Sequence, residues 1–346
     1  MLYAPGLGYY SAGAAKLGRG GDFTTAPEIS PMFGACIARQ CAPLLREGGE
    51  LLELGAGSGA LAEALLRRLA DVAALPAQYL ILEVSADLRD RQRTRLSRLP
   101  PALYERVRWL DTLPQHPLRG VILANEVADA LPFQCFVAGA SGYEERGVEA
   151  DTEGNLRWAT RPASAQLRAE LARLEGSLAQ SFAPGYHGEV CLRIGPWVTA
   201  LAAALQAGCV LLFDYGLGRS ELYHPHRENG TLRCHYRQRA HSDPFLYPGL
   251  QDISAWVDFT RVAEAASAAG LEVAGYCTQA AFLLGAGIDA ELAAPGSVLE
   301  RARAASAARF LLMPEAMGET FKAMWLTRGP VPNFDAFGVQ DLRRLL

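Results

Sequence analysis

Short apolar runs alternate along this chain with stretches whose apolar positions fall three and four residues apart. Residues 51–54 are a compact apolar run, and residues 60–69 place Leu61, Ala64, Leu65 and Arg68 at helical spacing. The first pattern predicts a buried strand and the second a helix. The alternation continues with strands over 79–83, 107–110, 120–124 and 133–137 and a helix over 86–96. Farther on, 197–205 and 260–269 read as helices, with 209–214 and 271–277 as strands. A helical region to residue 312 and a last strand over 320–326 complete the series. Strands alternating with helices predict an α/β fold with a mostly parallel central sheet covered on both faces.

Three regions depart from this rhythm. Residues 3–27 are rich in Gly, Tyr and Thr and read as an ordered loop, after which Pro27 opens a helix running to about Arg46. Residues 140–190 read as a strand pair around Thr152-Glu153-Gly154-Asn155 and an exposed helix over 163–178. Residues 216–258 are loop-rich and carry four of the six histidines. The expected organisation is therefore an N-terminal loop and helix (1–48), a core (49–139 and 190–216), an inserted α+β segment (140–189 and 217–258), and a completion of the sheet (259–346).

Composition narrows the class. Half of the 346 residues are hydrophobic, enough for a sizeable core, and the net charge of -4 gives no basic footprint for nucleic acid. The start of the chain lacks the charged and apolar regions of a signal peptide, and no apolar run reaches the length of a membrane span. Seven cysteines, with no C-x-x-C pair, read as reduced thiols in a cytoplasmic, bacterial protein.

The strongest motif is Glu53-Leu54-Gly55-Ala56-Gly57-Ser58-Gly59-Ala60, placed between a strand and a helix. Glycines there permit a tight turn and close approach of a ligand to the main chain. The next strand ends in Glu83, where an acid reaches the hydroxyls of a ribose. An adenosine-containing ligand follows. The loop also satisfies G-x-G-x-x-A, a looser dinucleotide pattern, but Glu53 would repel a pyrophosphate seated at this turn. S-adenosylmethionine (SAM) carries an ammonium and a sulfonium instead, which an acid attracts. The competing reading of Glu53 is a surface acid at a strand end. A Rossmann-like SAM site is the better fit.

Two further stretches bear candidate residues. Asn125, Glu126 and Asp129 follow a buried strand at the sheet edge that lines the ligand crevice in such folds; alternatively they cap a helix. Asp111-Thr112 lies past the third strand, either beside the adenine or as a simple turn. A metal site from His224, His226, His235 and His241 is weakly patterned, and no metal is expected.

In order, these motifs resemble the class I SAM-dependent methyltransferases related to the mitochondrial complex I assembly factor and the MidA proteins. Gly20-Gly21-Asp22-Phe23-Thr24-Thr25-Ala26-Pro27-Glu28-Ile29-Ser30 is similar to the family's G-D-F-x-T-x-P-E-I-S run. Leu82-Glu83-Val84-Ser85 with Gln92, Asn125-Glu126 with Asp129-Ala130-Leu131-Pro132, and Phe213-Asp214-Tyr215-Gly216 match further family motifs. The resemblance implies protein arginine methylation, with a respiratory complex I subunit as acceptor. It implies cofactor contacts from Gly21, Asp22, Phe23, Thr25, Glu53, Gly55, Gly57, Gly59, Glu83, Val84, Asp111, Thr112, Asn125 and Glu126. Members usually carry a further helical segment before Tyr9-Tyr10, so part of a lid is expected to be missing here. Trp256 stands where relatives often have His, and Arg237-Gln238-Arg239 differs from the usual basic run.

An arginine acceptor is a cation that must lie beside a sulfonium, so carboxylates are needed to orient it and balance charge. Glu126 and Asp129 are the catalytic candidates. Asp214 and Asp258 are further substrate-side candidates, and Tyr10 and Phe23 are expected to close over the site. A homodimer is compatible with this reading. The alternatives are a non-catalytic assembly protein that retains the SAM fold and, disfavoured by Glu53, a nicotinamide-dependent oxidoreductase.

Overall fold

The computed structural model describes residues 1–4, 7–9 and 25–346. In chain order the strands are β1 (Glu50–Leu54), β2 (Tyr79–Leu82), β3 (Val107–Leu110), β4 (Leu118–Asn125), β5 (Gln134–Gly139), β6 (Gly142–Ala150), β7 (Leu156–Pro162) and β8 (His187–Val190). They continue with β9 (Leu205–Leu217), β10 (Arg233–Tyr236), β11 (Arg239–His241), β12 (Asp252–Ser254), β13 (Val257–Asp258), β14 (Glu272–Thr278) and β15 (Phe321–Arg328). The main sheet runs β14-β15-β9-β4-β1-β2-β3, with the short β13 added along the end of β9. From β9 to β3 every pair is parallel, and β15 alone is antiparallel to its two neighbours.

Alternate residues of these strands face opposite layers. Leu51, Ile81, Val121, Leu123, Leu211 and Phe213 pack beneath the helices Pro31–Leu45 and Ala60–Asp71. Leu52, Leu80, Ile122, Val210 and Leu212 pack against the helices Ile194–Ala204 and Phe259–Ala268. The central strands are therefore apolar on both sides, as helices on both faces require. Gly120 and Gly208 face each other across β4 and β9, and a Cβ on Gly208 would meet the Gly120 carbonyl oxygen at 1.9 Å.

A second sheet, β7-β6-β5-β8, is antiparallel and carries the helix Ala165–Leu178 on one face, packed through Leu167, Leu171 and Leu174. The strand expected over 133–137 belongs here rather than to the main sheet. An apolar run such as Cys135-Phe136-Val137 does not distinguish a parallel from an antiparallel partner. The partner that decides it is β8, a short strand whose Gly188 sits against the Phe136 ring. A third sheet, β11-β10-β12, lies within the region read from sequence as loops.

The helix expected from Pro27 is two helices, Ala26–Ile29 and Pro31–Leu45. Ser30 is extended between them, and its hydroxyl accepts from the Met32 N–H at 3.2 Å, so it caps the second helix. All seven cysteines are free thiols, six of them buried. No helix among the described residues is long and apolar enough to cross a membrane.

Candidate functional site

The C-terminal ends of β1, β2 and β4 surround a cavity of about 340 Å³. The crevice at such ends is where an open α/β sheet receives ligands. Gly55 and Gly57 turn the chain out of β1 with φ of +59° and +54°, a region that side chains disfavour. Gly59 ends the turn at φ +83° as the N-cap of the helix Ala60–Asp71, and it does not itself line the cavity.

Glu53 is 2 % exposed, which excludes the surface-acid reading. It lines the cavity, and Oε2 accepts from the Tyr79 hydroxyl at 2.6 Å. Burial pushes its carboxyl up to about 7 against the opposing pull of that hydroxyl. Glu83 is also buried and lines the cavity. Its Oε1 accepts from the Ser85 N–H at 2.9 Å and its Oε2 from Gln92 Nε2 at 3.0 Å. Gln92 Nε2 also donates to the Gly57 carbonyl at 2.9 Å, while its Oε1 accepts from Trp109 Nε1 at 3.0 Å. Gln92 thus ties the glycine turn to the acid on the adjacent strand.

Thr25 and Val84 line the same cavity, with Leu88, Leu113, Trp197 and Leu201 supplying apolar wall. Asp111 and Thr112 are exposed and do not line it; Asp111 pairs with Arg89 at 2.8 Å. The next residue along, Leu113, reaches the cavity in their place. Glu28 accepts a short hydrogen bond from Ser58 Oγ, and Arg95 donates to the same hydroxyl at 2.8 Å. This holds the segment after Thr25 against the glycine turn. Tyr10, Gly21, Asp22 and Phe23 lie outside the described residues.

Residues 126–132 form a turn rather than the capped helix that was the alternative. Glu126 has φ +55°, unusual for a residue with a side chain. Asp214, buried at the end of β9, holds this turn: its Oδ2 accepts from the N–H groups of Val127, Ala128 and Asp129 at 3.2, 2.9 and 3.2 Å. The Glu126 N–H donates to the Phe213 carbonyl at 2.8 Å. Glu126 lines the cavity beside Asn125, whose Nδ2 donates to Glu126 Oε1 at 3.0 Å. Burial, reinforced by the Asp129 carboxylate, pushes the Glu126 carboxyl up to about 8.

Asp129 lies behind that turn against a smaller cavity of about 20 Å³, next to Leu131, which lines both. The Tyr215 hydroxyl donates a short hydrogen bond to Asp129 Oδ2, and Oδ1 has no partner among the described residues. Burial raises the Asp129 carboxyl to about 6. Tyr3 lines the larger cavity and donates a short hydrogen bond to the Ala130 carbonyl.

Asp258 is placed elsewhere. It caps the helix Phe259–Ala268 and pairs at 3.2 Å with the buried Arg219, which also binds Glu264 at 2.6 Å. Asp214 and Asp258 are therefore committed to holding the framework. His224 and His226 lie together, their ring centroids 5.0 Å apart, but no group of three metal-binding side chains occurs among the described residues. Tyr79 and Trp197 entered the site without a sequence signal, because an aromatic in a strand or helix reads first as core, and Tyr3 because it falls in a stretch that reads as loop.

A family model described as "Putative S-adenosyl-L-methionine-dependent methyltransferase" matches residues 36–277. A crystal structure of a Burkholderia thailandensis protein bound to S-adenosyl-homocysteine superposes with a TM-score of 0.92 at 43 % identity, covering 100 % of this chain and 90 % of that one. The mitochondrial protein arginine methyltransferase NDUFAF7 of Danio rerio is 31 % identical over 93 % of this chain and 80 % of its own length. The human protein of that name is 27 % identical over 93 % of this chain and 76 % of its own. Cavity, glycine turn and kinship agree: the chain belongs to the MidA-like, NDUFAF7-containing family of SAM-dependent methyltransferases.

Proposed function

We propose that this methyltransferase modifies an arginine on a protein acceptor, and that the acceptor is the matching subunit of the bacterial NADH-quinone oxidoreductase. The observation that carries the reading is the acid pair Glu126 and Asp129, one facing the large cavity and the other behind it. The relatives' name, protein arginine methyltransferase, supports it.

The donor set fits SAM. Glu53 offers a buried carboxylate to an ammonium, Glu83 offers a fixed carboxylate to ribose hydroxyls, and the wall of Leu88, Leu113, Trp197 and Leu201 suits an adenine. The remaining candidate contacts are Thr25, Gly55, Gly57, Val84 and Asn125. SAM, when bound, supplies a methyl group already activated by its sulfonium.

The chain's own task is alignment and charge balance. Glu126 grips the guanidinium, with Asn125 fixing the carboxylate and Asp129 adding negative charge from behind. A neighbouring guanidinium favours the ionised form of Glu126, which is otherwise held protonated near neutral pH. As the new N–C bond forms and the S–C bond breaks, the attacking nitrogen sheds a proton. The Glu126 carboxylate is the base in reach, with an affinity for protons near the working pH.

The test compares Glu126→Gln and Asp129→Asn with the unmodified protein, titrating SAM by calorimetry and following methyl transfer to the purified subunit. Both variants are expected to bind SAM within about threefold of the parent and to lose at least about 100-fold in transfer. Unchanged transfer in Glu126→Gln would remove its role.

A further inference from the structure

We infer that Tyr79 is a positioning residue that couples cofactor binding to a proton: its hydroxyl fixes Glu53 before the ligand arrives, and Glu53 releases a proton to solvent as the ligand's ammonium docks. This rests on the placement of that ammonium at Glu53 proposed above. Tyr79 starts β2, and its partner in register is Leu51 on β1. Glu53 pairs with Ile81 on β2 and with Leu123 on β4. Side chains two apart along a strand share a face. Tyr79 and Glu53 therefore lie on one face of the sheet, and the fully buried ring reaches along it to the carboxylate, 2.6 Å from hydroxyl to Oε2.

No described residue brings a positive charge to Glu53. The titratable groups that act on it are Tyr79, a neutral donor, and Glu83, a second acid. The helix Pro31–Leu45 brings Cys41 toward Tyr79, and burial pushes that thiol up to about 12, so it stays neutral. The helix Ala60–Asp71 meets the cavity with Ala60 and Leu61. Tyr3, Glu28 and Glu126 line the cavity from other elements. Arg95, which reaches Glu28 at 3.5 Å, is committed to that acid and to Glu63 at 2.8 Å. An ionised Glu53 is thus compensated by one hydroxyl alone. Burial accordingly pushes its carboxyl up to about 7, with Glu83 acting in the same direction and the Tyr79 hydroxyl against it.

The ligand's ammonium reverses this balance. Tyr79 engages Oε2, and no described residue donates to Oε1, which leaves that oxygen to the ligand. A cation at hydrogen-bond distance favours the ionised form. The carboxyl O–H bond therefore breaks on docking, its proton leaves to solvent, and the ammonium keeps all of its own. Release of a proton on binding makes affinity rise with pH below about 7 and level off above it. Without the hydroxyl, burial would act unopposed and this window would move to higher pH. Tyr79 places the window close to neutrality, where a modest acidification lowers cofactor loading.

The test titrates the full chain with S-adenosyl-homocysteine, which carries the same ammonium, by calorimetry in buffers of different ionisation enthalpy. Near pH 6 the parent should release about nine-tenths of a proton per ligand, and its Kd should fall about 10- to 30-fold between about pH 5.5 and about pH 7.5. Glu126→Gln should release as much, which assigns the proton to Glu53 rather than to the other raised acid of the cavity. Glu53→Gln should release none. Tyr79→Phe keeps the ring and its packing; its Kd should go on falling above about pH 7.5, where that of the parent is level, a change that altered packing alone does not produce. A binding heat independent of buffer in the parent overturns the inference, and so does equal release from Glu53→Gln or a Tyr79→Phe profile that coincides with the parent's. The placement of the ammonium is judged separately, from the Kd near pH 7.5. If Glu53→Gln binds there as tightly as the parent, that placement fails; a weakened Glu53→Gln beside a buffer-independent parent leaves the placement standing and refutes the proton coupling.

Discussion

Replacing Glu83 with Gln tests how the cofactor's ribose is held, and its effect can be worked from the bonds around that side chain. Both oxygens of Glu83 accept from fixed donors, Oε1 from the Ser85 N–H at 2.9 Å and Oε2 from Gln92 Nε2 at 3.0 Å. An amide has one acceptor end. Whichever way the substituted amide turns, its NH2 group meets one of those donors. Gln92 cannot relieve this by flipping without turning its own NH2 onto the indole donor of Trp109 and losing the bond to the Gly57 carbonyl. One buried hydrogen bond is therefore lost, at about 1–3 kcal/mol. Ribose hydroxyls also lose a charged acceptor, worth about 1.5–3 kcal/mol when the partner is ionised. The first cost is shared between the free and bound protein, so the second sets the affinity. The Kd for SAM should rise about 10- to 150-fold by calorimetry. Thermal melting should fall modestly because of the first cost. A Kd within about twofold of the parent, in a protein that still melts cooperatively, would refute the assignment of Glu83.

Four further outcomes are expected. Glu126 and Glu53 carry carboxyls raised in the folded state, to about 8 and about 7, so folding takes up protons and their contribution to stability declines as pH rises from the ordinary carboxylate range through those values. Melting temperature measured across that window should decline, and Glu126→Gln should flatten the upper part; an unchanged slope contradicts the burial argument. Arg219→Ala should cost about 3–5 kcal/mol in urea unfolding, because Asp258 would be left buried without its cation, whereas Arg343→Ala, which breaks an exposed pair with Asp341, should cost less than about 1 kcal/mol. Asp214→Asn should lose about 1–3 kcal/mol and reduce transfer more than SAM binding, since Oδ2 serves three N–H groups of the turn bearing Glu126. Gly208→Ala should fail to give soluble protein, its Cβ falling 1.9 Å from a neighbouring carbonyl oxygen; a folded variant with parent-like melting would contradict the close approach of β4 and β9.

Where the physics is local, the chain is readable. The run Leu51-Leu52-Glu53-Leu54 followed by three positive-φ glycines determines a strand and turn by itself, and Glu53 and Glu83 follow from their positions at strand ends. The apolar strand over 209–214 was also legible, though its pairing extends to Leu217. Partners distant in sequence were not. The strand at 134–139 went to the second sheet because of β8, some fifty residues later, and β8 is too short and polar to declare itself. The hairpin at 233–241 was hidden for a related reason: a turn of Arg-Gln carries none of the Asn-Gly chemistry that marks such turns. Asp214 and Asp258 looked like substrate ligands because an acid at a strand end can serve a ligand or the backbone. Only the three N–H groups around one and the Arg219 guanidinium beside the other decide between those uses.

The central claim is transfer of a methyl group from SAM to a protein arginine, and mass spectrometry of the acceptor tests it most directly. The purified chain would be incubated with isotopically labelled SAM and the matching NADH-quinone oxidoreductase subunit, and the subunit digested and sequenced by fragmentation. The account predicts labelled methyl on an arginine, absent when Glu126→Gln replaces the parent. Label on another residue type, or an unmodified subunit in the presence of protein that demonstrably binds SAM, would contradict it.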